Sequence, residues 1–395
     1  MEAYVIDWLN LLLRWLHIIT GIAWIGASFY FIWLDNSLEA PGKDNDIQRG
    51  VGGELWAVHG GGFYHAEKFR SRPPSIPERL HWFKWEAYWT WLSGFALLTV
   101  VYYVGADLNL IDRTVMDLSH PAAIAIGLGF IAGAWIVYDL LCKSPLARHE
   151  SALMTLLFVL LCVSAWALTQ LFGGRGAYMH FGAMLGTIMV ANVAMVIMPA
   201  QRAMVRAAEA GQDPDPKFGI AGKQRSVHNT YFTLPVLFVM MSNHYAFTYG
   251  HRYNWALLIA LSVAGALIRV WFVQRHKRKQ TPLTLVAAAM LIVIVFWAGM
   301  PSTRVSGGAA VDIKQVQTIV QMRCVSCHAQ TPTQVGISSP PKGVLLETEA
   351  HIRAQSALIV KQAVATRVMP PGNLSGMSED ERALIARWAA SINQK

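Results

Sequence analysis

The strongest constraint in this sequence is a series of apolar stretches at 8–34, 82–103, 121–142, 151–172, 177–199, 229–248, 253–273 and 282–300. Each has the roughly 20 residues a helix needs to cross about 30 Å of hydrocarbon, so the pattern predicts a polytopic bundle in lipid. Only 14% of the residues are charged, well under the roughly 25% usual for a soluble domain. The charges thin out within the apolar runs before Met300 and become dense after it. The first stretch has no basic leader and no small-residue cleavage site, and it exceeds the length of a signal peptide's apolar core, which predicts a retained helix. The expected fold is therefore all-α, with an eight-helix membrane bundle at 1–300, a Ser/Gly-containing linker at 301–310 and a small soluble domain at 311–395.

The cysteines divide into two kinds. Cys142 and Cys162 lie singly in apolar stretches, where a small buried packing residue is expected. Cys324-Val325-Ser326-Cys327-His328 is different, because two thiols at this spacing can form thioethers to both vinyl groups of one haem while the histidine binds its iron. A zinc or thiol-redox site would want a second ligand pair, and none accompanies this one. The sixth ligand is expected from Met369, held by Pro370, Pro371 and Gly372, with Met377 as the rival. Helical spacing of Val316, Ile319 and Val320 before the motif, and a capping box at Ser378 and Glu381 leading to Leu384, Ile385 and Trp388, complete a small helical domain. Residues 311–395 resemble a class I cytochrome c with one covalent haem c.

Orientation follows from two arguments that agree. Haem is attached to such a motif outside the cytoplasm, which predicts a periplasmic C-terminal domain and, with eight spans, a periplasmic N-terminus. The loops then assigned to the inside carry Lys43, Arg49, Lys68, Arg70, Arg72 and Arg79, then Lys143 and Arg148, then Arg202, Arg206, Lys217, Lys223 and Arg225, then Arg275, Lys277, Arg278 and Lys279. The outer segments are poorer in Lys and Arg. The net charge of +9 thus reflects topology, and no nucleic-acid motif accompanies it. A bacterial inner-membrane location is expected.

Histidines sort by depth on this topology. His17, His120, His180 and His244 fall toward the outer side, and His59, His65, His81, His149 and His228 toward the inner side. His228 and His244 are 16 residues apart, about 24 Å along a helix, so they cannot share a metal. Arg14, His17, Gly21, Trp24 and Ser28 recur at helical spacing, a face that suits either a haem edge or close helix packing. Glu54 to His65 brackets three glycines with two histidines, readable as a polar pocket, a metal-holding loop or an irregular interfacial loop. No Walker motif, dinucleotide fingerprint or Ser-His-Asp order is present.

Taken together, His17 to Gly26, Glu54 to His65, His81 to Glu86 and His228 to Pro235 running on to Ser242-Asn243-His244 resemble the bacterial membrane-bound urate oxidases, also called urate hydroxylases. That family joins an eight-helix domain to a cytochrome c. The resemblance spans nearly the whole chain and implies urate as substrate, 5-hydroxyisourate as product, water as the source of the hydroxyl and a respiratory-chain acceptor such as a periplasmic cytochrome or terminal oxidase. It directs attention to His59, His65 and His228 as catalytic candidates. The first span also resembles the opening helix of membrane proteins that bind haem b, which implies a second cofactor at His17, with His180 and His244 as further candidates. Two other classes fit the same motifs: a b/c-type electron carrier without enzymatic activity, and a transporter with a redox-sensing appendage.

Overall fold

The computed structural model describes residues 2–277, 282–300 and 311–392. The expected linker at 301–310, together with Arg278 and Lys279, lies outside the described residues. A long helix covers each apolar stretch: α1 Glu2–Ser37, α2 Trp85–Val104, α3 His120–Lys143, α4 Glu150–Leu171, α5 Gly174–Glu209, α6 Pro216–Ser242, α7 Asn254–His276 and α8 Pro282–Ala298. Among the described residues, six of them, α1 to α5 and α7, are long and apolar enough to cross a membrane. α6 carries Lys217, Lys223 and Arg225 in its first half, and α8 has 17 residues, so neither meets that measure by itself.

One element departs from the all-α expectation. The segment expected as a loop folds as an antiparallel hairpin, β1 Val51–His59 paired with β2 Gly62–Phe69. Gly60 and Gly61, at φ of 57° and 81°, supply the two-residue turn that only such left-handed residues close easily. Lys68 of β2 ion-pairs with Asp35 at the end of α1, which ties the hairpin to the bundle.

Helix α5 is central. Of its apolar window 61% is buried, against 6% for α1, and between Gly176 and Asn192 buried residues lie on every side of it, as in a helix enclosed by others. Its Tyr178, Phe181, Met184 and Leu185 pack with Leu153 and Leu168 of α4 and Tyr138 of α3. Helix α6 lies against α5 and α7 and contains Pro235.

The C-terminal unit has its own core. α9, Ile313–Arg323, contributes Val316, Ile319 and Val320, and α10, Glu379–Ile392, contributes Ile385 and Trp388, with Ile352 between them. The capping box forms: the Ser378 amide donates to Glu381 Oε2 at 2.7 Å, and the Glu381 amide to Ser378 Oγ at 3.2 Å. This unit meets the bundle at the end where α1 begins, through Ser338 Oγ donating to Asp7 Oδ2 at 2.6 Å. We call that end proximal and the hairpin end distal.

Close helix approach sets one testable constraint. A Cβ on Gly127 of α3 would lie 2.5 Å from His180 Nε2, whereas one on Gly129 would meet nothing within 4 Å. Gly127→Ala should therefore cost roughly 1–3 kcal/mol by overpacking, while Gly129→Ala leaves stability near wild type. Thermal unfolding of the detergent-solubilised pair measures the difference, and equal melting temperatures would contradict the packing.

Candidate functional site

Two regions collect reactive side chains, one in each part of the chain. In the C-terminal unit, α9 ends at Cys324, and a tight turn follows in which the amides of Cys327 and His328 donate to the Cys324 carbonyl at 3.1 and 2.9 Å. Both thiols are free. Burial, with Cys327 alongside, pushes the Cys324 thiol up to about 12, an environment unlike that of a reactive thiolate. His328 Nδ1 donates to the Val344 carbonyl at 2.9 Å, which leaves Nε2 as the lone-pair nitrogen. A ligating histidine is typically oriented in this way. The Met369 backbone is pinned at both ends, its amide to the Gln362 carbonyl at 3.1 Å and its carbonyl to Arg382 Nη1 at 2.8 Å. Met377 is the more deeply buried of the two methionines, in the core beside Met369. The residues present thus fit a covalent c-type haem: two free thiols on one turn, an imidazole held by its other nitrogen and a methionine on a fixed loop.

The loop that follows Met369 is also the one that docks on the bundle. A Cβ on Gly372 would collide with the Ile111 carbonyl, and one on Gly250, in the loop before α7, would collide with the Thr366 carbonyl. Immediately beneath, Arg175 donates to Asn243 at 3.1 Å and Asn109 at 2.8 Å, and Tyr102 donates to Asn243 at 3.0 Å.

The second region is a polar cluster inside the distal half of the bundle. Arg225 of α6, 3% exposed, pairs with Asp139 of α3 at 2.8 Å, and Lys143 reaches the same carboxylate at 2.6 Å. Asn192 of α5 donates to the Tyr138 hydroxyl at 3.0 Å and to Asn229 Oδ1 at 2.8 Å, and it accepts from Arg225 at 3.3 Å. Tyr138 is 2.8 Å from His228 Nδ1, and His228 Nε2 is 3.2 Å from Glu150 Oε1. With the tyrosine donating to Nδ1, Nε2 carries the hydrogen toward the carboxylate. The result is a hydrogen-bonded series from a buried phenol through an imidazole that is 1% exposed to a carboxylate that is 57% exposed. Tyr138 also borders an apolar cavity of about 450 Å³ with Gly129, Gly133, Leu157, Met184 and Phe232.

The other candidate histidines scatter. His17 of α1 donates from Nδ1 to the Thr90 carbonyl at 3.0 Å, near Ser93 Oγ, so α1 packs on α2 through it while Nε2 stays free. His180 is fully buried with both nitrogens engaged, Nδ1 with the Gly176 carbonyl at 2.9 Å and Nε2 with Tyr103 Oη at 3.2 Å. His244 is exposed just beyond α6. His59 and His65 lie on the hairpin, where His65 stacks on Trp56 and bonds Glu54 at 2.7 Å. Hydrogen bonds from the Gly42 amide and from His65 hold the Glu54 carboxyl below its ordinary range. Among the described residues no three His, Cys, Asp or Glu side chains converge on a metal-sized position, the hairpin included. The site therefore joins His228 to Tyr138, Asp139, Glu150, Asn192, Arg225 and Asn229, all missed by sequence reasoning; the available signal was Asp139, a charge inside an apolar stretch.

Removing one partner of a buried ion pair leaves an uncompensated charge. Arg225→Met should lower unfolding stability by roughly 3–5 kcal/mol, whereas Lys143→Met, at an exposed ammonium, should cost under about 1 kcal/mol. Denaturant or thermal melts read both, and similar losses would contradict the buried pairing.

Comparison with curated proteins and with solved structures returns no match. The profile of the urate oxidase N-terminal family matches residues 3–299, which include α1 to α8, the hairpin and every member of the distal cluster. The chain belongs to the urate oxidase N-terminal family.

Proposed function

We propose that this protein is a membrane-bound urate oxidase whose electrons leave through a c-type haem fused to the catalytic bundle. The observation that carries this reading is the Tyr138–His228–Glu150 series, running from a buried phenol to an exposed carboxylate within a domain of the urate oxidase N-terminal family. In the reaction one water adds its hydroxyl to C5 of urate, giving 5-hydroxyisourate, and two protons and two electrons depart. A general base must remove those protons, and His228 is the buried imidazole with a connected acceptor. It takes a proton at Nδ1 through Tyr138 while its Nε2 proton passes to Glu150, whose exposure opens the series to solvent. His59 and His65 stand at the same distal end, where they would meet urate on entry rather than during proton removal.

Cys324 and Cys327 would hold the haem by thioethers, with His328 Nε2 and the Met369 sulfur as the groups that would bind its iron. When bound, such a group accepts electrons one at a time. The Met369–Gly372 loop against Asp107–Ile111 supports electron passage at the proximal end, toward a respiratory-chain acceptor. His17, with Nε2 free, is the residue that would hold a haem b between the two regions; His180 would first have to release a partner. Eight membrane spans with both termini on the periplasmic side of a bacterial inner membrane complete the proposal, supported by the Ser338–Asp7 contact, which puts the start of α1 beside the C-terminal unit.

Two tests address the two parts. Met369→Ala should abolish the sulfur-to-iron charge-transfer band while leaving covalent haem; loss of that band in Met377→Ala instead would reassign the ligand. Under anaerobic conditions urate should reduce the c haem of the wild type, and His228→Ala should slow this by roughly a hundred-fold or more with the haem spectrum intact. Unimpaired reduction in that variant would remove the series from catalysis.

A further inference from the structure

Four charged side chains are buried among the described residues: Asp46, Arg225, Arg269 and Arg382. Asp46 pairs with Arg49, Arg225 with Asp139, and Arg382 with the carbonyls of Ala363 and Met369. Arg269 of α7 has nothing comparable. It is 2% exposed, and its Nε and Nη2 are buried without a hydrogen-bond partner. A guanidinium in an apolar bundle with two of its nitrogens unpartnered is strongly unfavourable unless something absent from the bare chain accepts from them.

The surroundings say what that would be. The guanidinium carbon lies 3.7 Å from the centre of the Phe29 ring of α1, a cation–π contact that holds it against one helix. A Cβ on Gly265, one turn before Arg269 on α7, would touch Leu234 beside Pro235 of α6. The two helices run antiparallel, so one turn further toward the distal end Arg269 stands level with Tyr231. Pro235 has no N–H to give to the Tyr231 carbonyl four residues earlier, which leaves that carbonyl available as an acceptor. Tyr231 lies within electrostatic reach of both Arg269 and Glu150, and His228 is its neighbour one turn back on α6. Two unpartnered guanidinium nitrogens, a carbonyl that Pro235 cannot serve, a phenol and an aromatic ring next to the His228 series match a flat anion that has carbonyl oxygens and ring N–H groups on its edge.

We propose that Arg269 is the receptor for the substrate anion, binding an oxypurine such as urate edge-on between α1, α6 and α7. This deepens the urate oxidase reading and rests on it. The guanidinium meets two acceptors of the ligand, and the reacting carbon is left toward His228.

Arg269→Met tests this in the full-length protein, because it keeps an apolar stem while removing the orphaned charge. Without urate the variant should melt at or above the wild-type temperature. Urate should raise the melting temperature of the wild type and leave the variant unchanged, and KM for urate should rise at least ten-fold with the c haem spectrum intact. Should Arg269→Met fail to fold, Arg269→Lys keeps the charge but loses the fork, and it should raise KM at nearly unchanged kcat. A wild-type KM and urate-induced shift in either variant overturns the proposal. So does loss of a co-purified anionic phospholipid from the variant at unchanged KM, which would assign the guanidinium to a lipid headgroup. A wild type that urate neither reduces nor stabilises overturns both this proposal and the activity it rests on, whereas a normal urate reaction with an indifferent Arg269 overturns this one alone.

Discussion

The ion pair between Arg225 and Asp139 is the constraint around which the bundle is organised. A guanidinium that is 3% exposed requires a carboxylate and further acceptors close by, because an unpaired charge in a low-dielectric interior costs several kcal/mol. Meeting that requirement fixes three helices at once: α6 brings the arginine, α3 the aspartate and α5 the Asn192 side chain that accepts from Arg225 at 3.3 Å. Asn192 in turn holds Tyr138 and Asn229, and Tyr138 holds His228. The imidazole is therefore oriented through a connected polar network whose origin is one buried charge. Such networks are rigid when every member is satisfied, as proton transfer from a fixed geometry needs. Helix α4 joins only at its first residue, Glu150, where the network reaches solvent.

The proximal end is built on a different principle. Its close contacts are between backbone and backbone, at Gly372 against Ile111 and Gly250 against Thr366. A unit held in this way has a short and fixed separation from the bundle that does not depend on mobile charged side chains. Beneath the contact, Tyr102, Arg175, Asn109 and Asn243 form a bonded layer that closes the end of the bundle. The proximal end is thus a packed backbone contact and the distal end a buried polar network, the difference on which the proposed division between electron exit and proton exit rests.

How much of this the sequence disclosed depends on the range of the interaction concerned. The helices were readable because apolar runs of bilayer length report on lipid, a uniform solvent, with no knowledge of neighbours. The capping box of Ser378 and Glu381 was readable because its hydrogen bonds are local. The hairpin at Val51–Phe69 was not legible, because the segment reads equally as a polar pocket, a metal-holding loop or an irregular interfacial loop, and its strands show no clean alternation of apolar and polar residues. The distal cluster could not be assembled, since Tyr138, Glu150, Asn192 and His228 come from four helices and their meeting depends on packing. His228 alone was singled out. His59 and His65 looked equivalent to it, yet the fold puts them on an exposed hairpin. Asp139 and Arg269 were visible as charges in apolar runs, but only the structure distinguishes the paired one from the unpaired one.

That distinction bears on how a two-electron oxidation can be run by a chain of this shape. On the proposed function, protons leaving through His228 and Glu150 would emerge at the distal end, while electrons passing to the Met369 loop would emerge at the proximal end. Whichever way the bundle faces, each turnover would then separate charge along the bundle axis, with the distal side gaining positive charge relative to the proximal side. An anion entering from the distal side brings negative charge partway along the same axis before reaction, which partly offsets the protons released there. A fixed cation at its resting place lowers the energy of that entry but also resists the loss of electrons from the bound anion. The arrangement works only if proton removal accompanies electron removal, so that the ligand never becomes a cation beside a guanidinium. If Arg269 holds the anion as proposed, the short spacing between Tyr231, within electrostatic reach of Arg269, and His228, one turn away on α6, would keep the proposed base close enough for the two removals to be coupled.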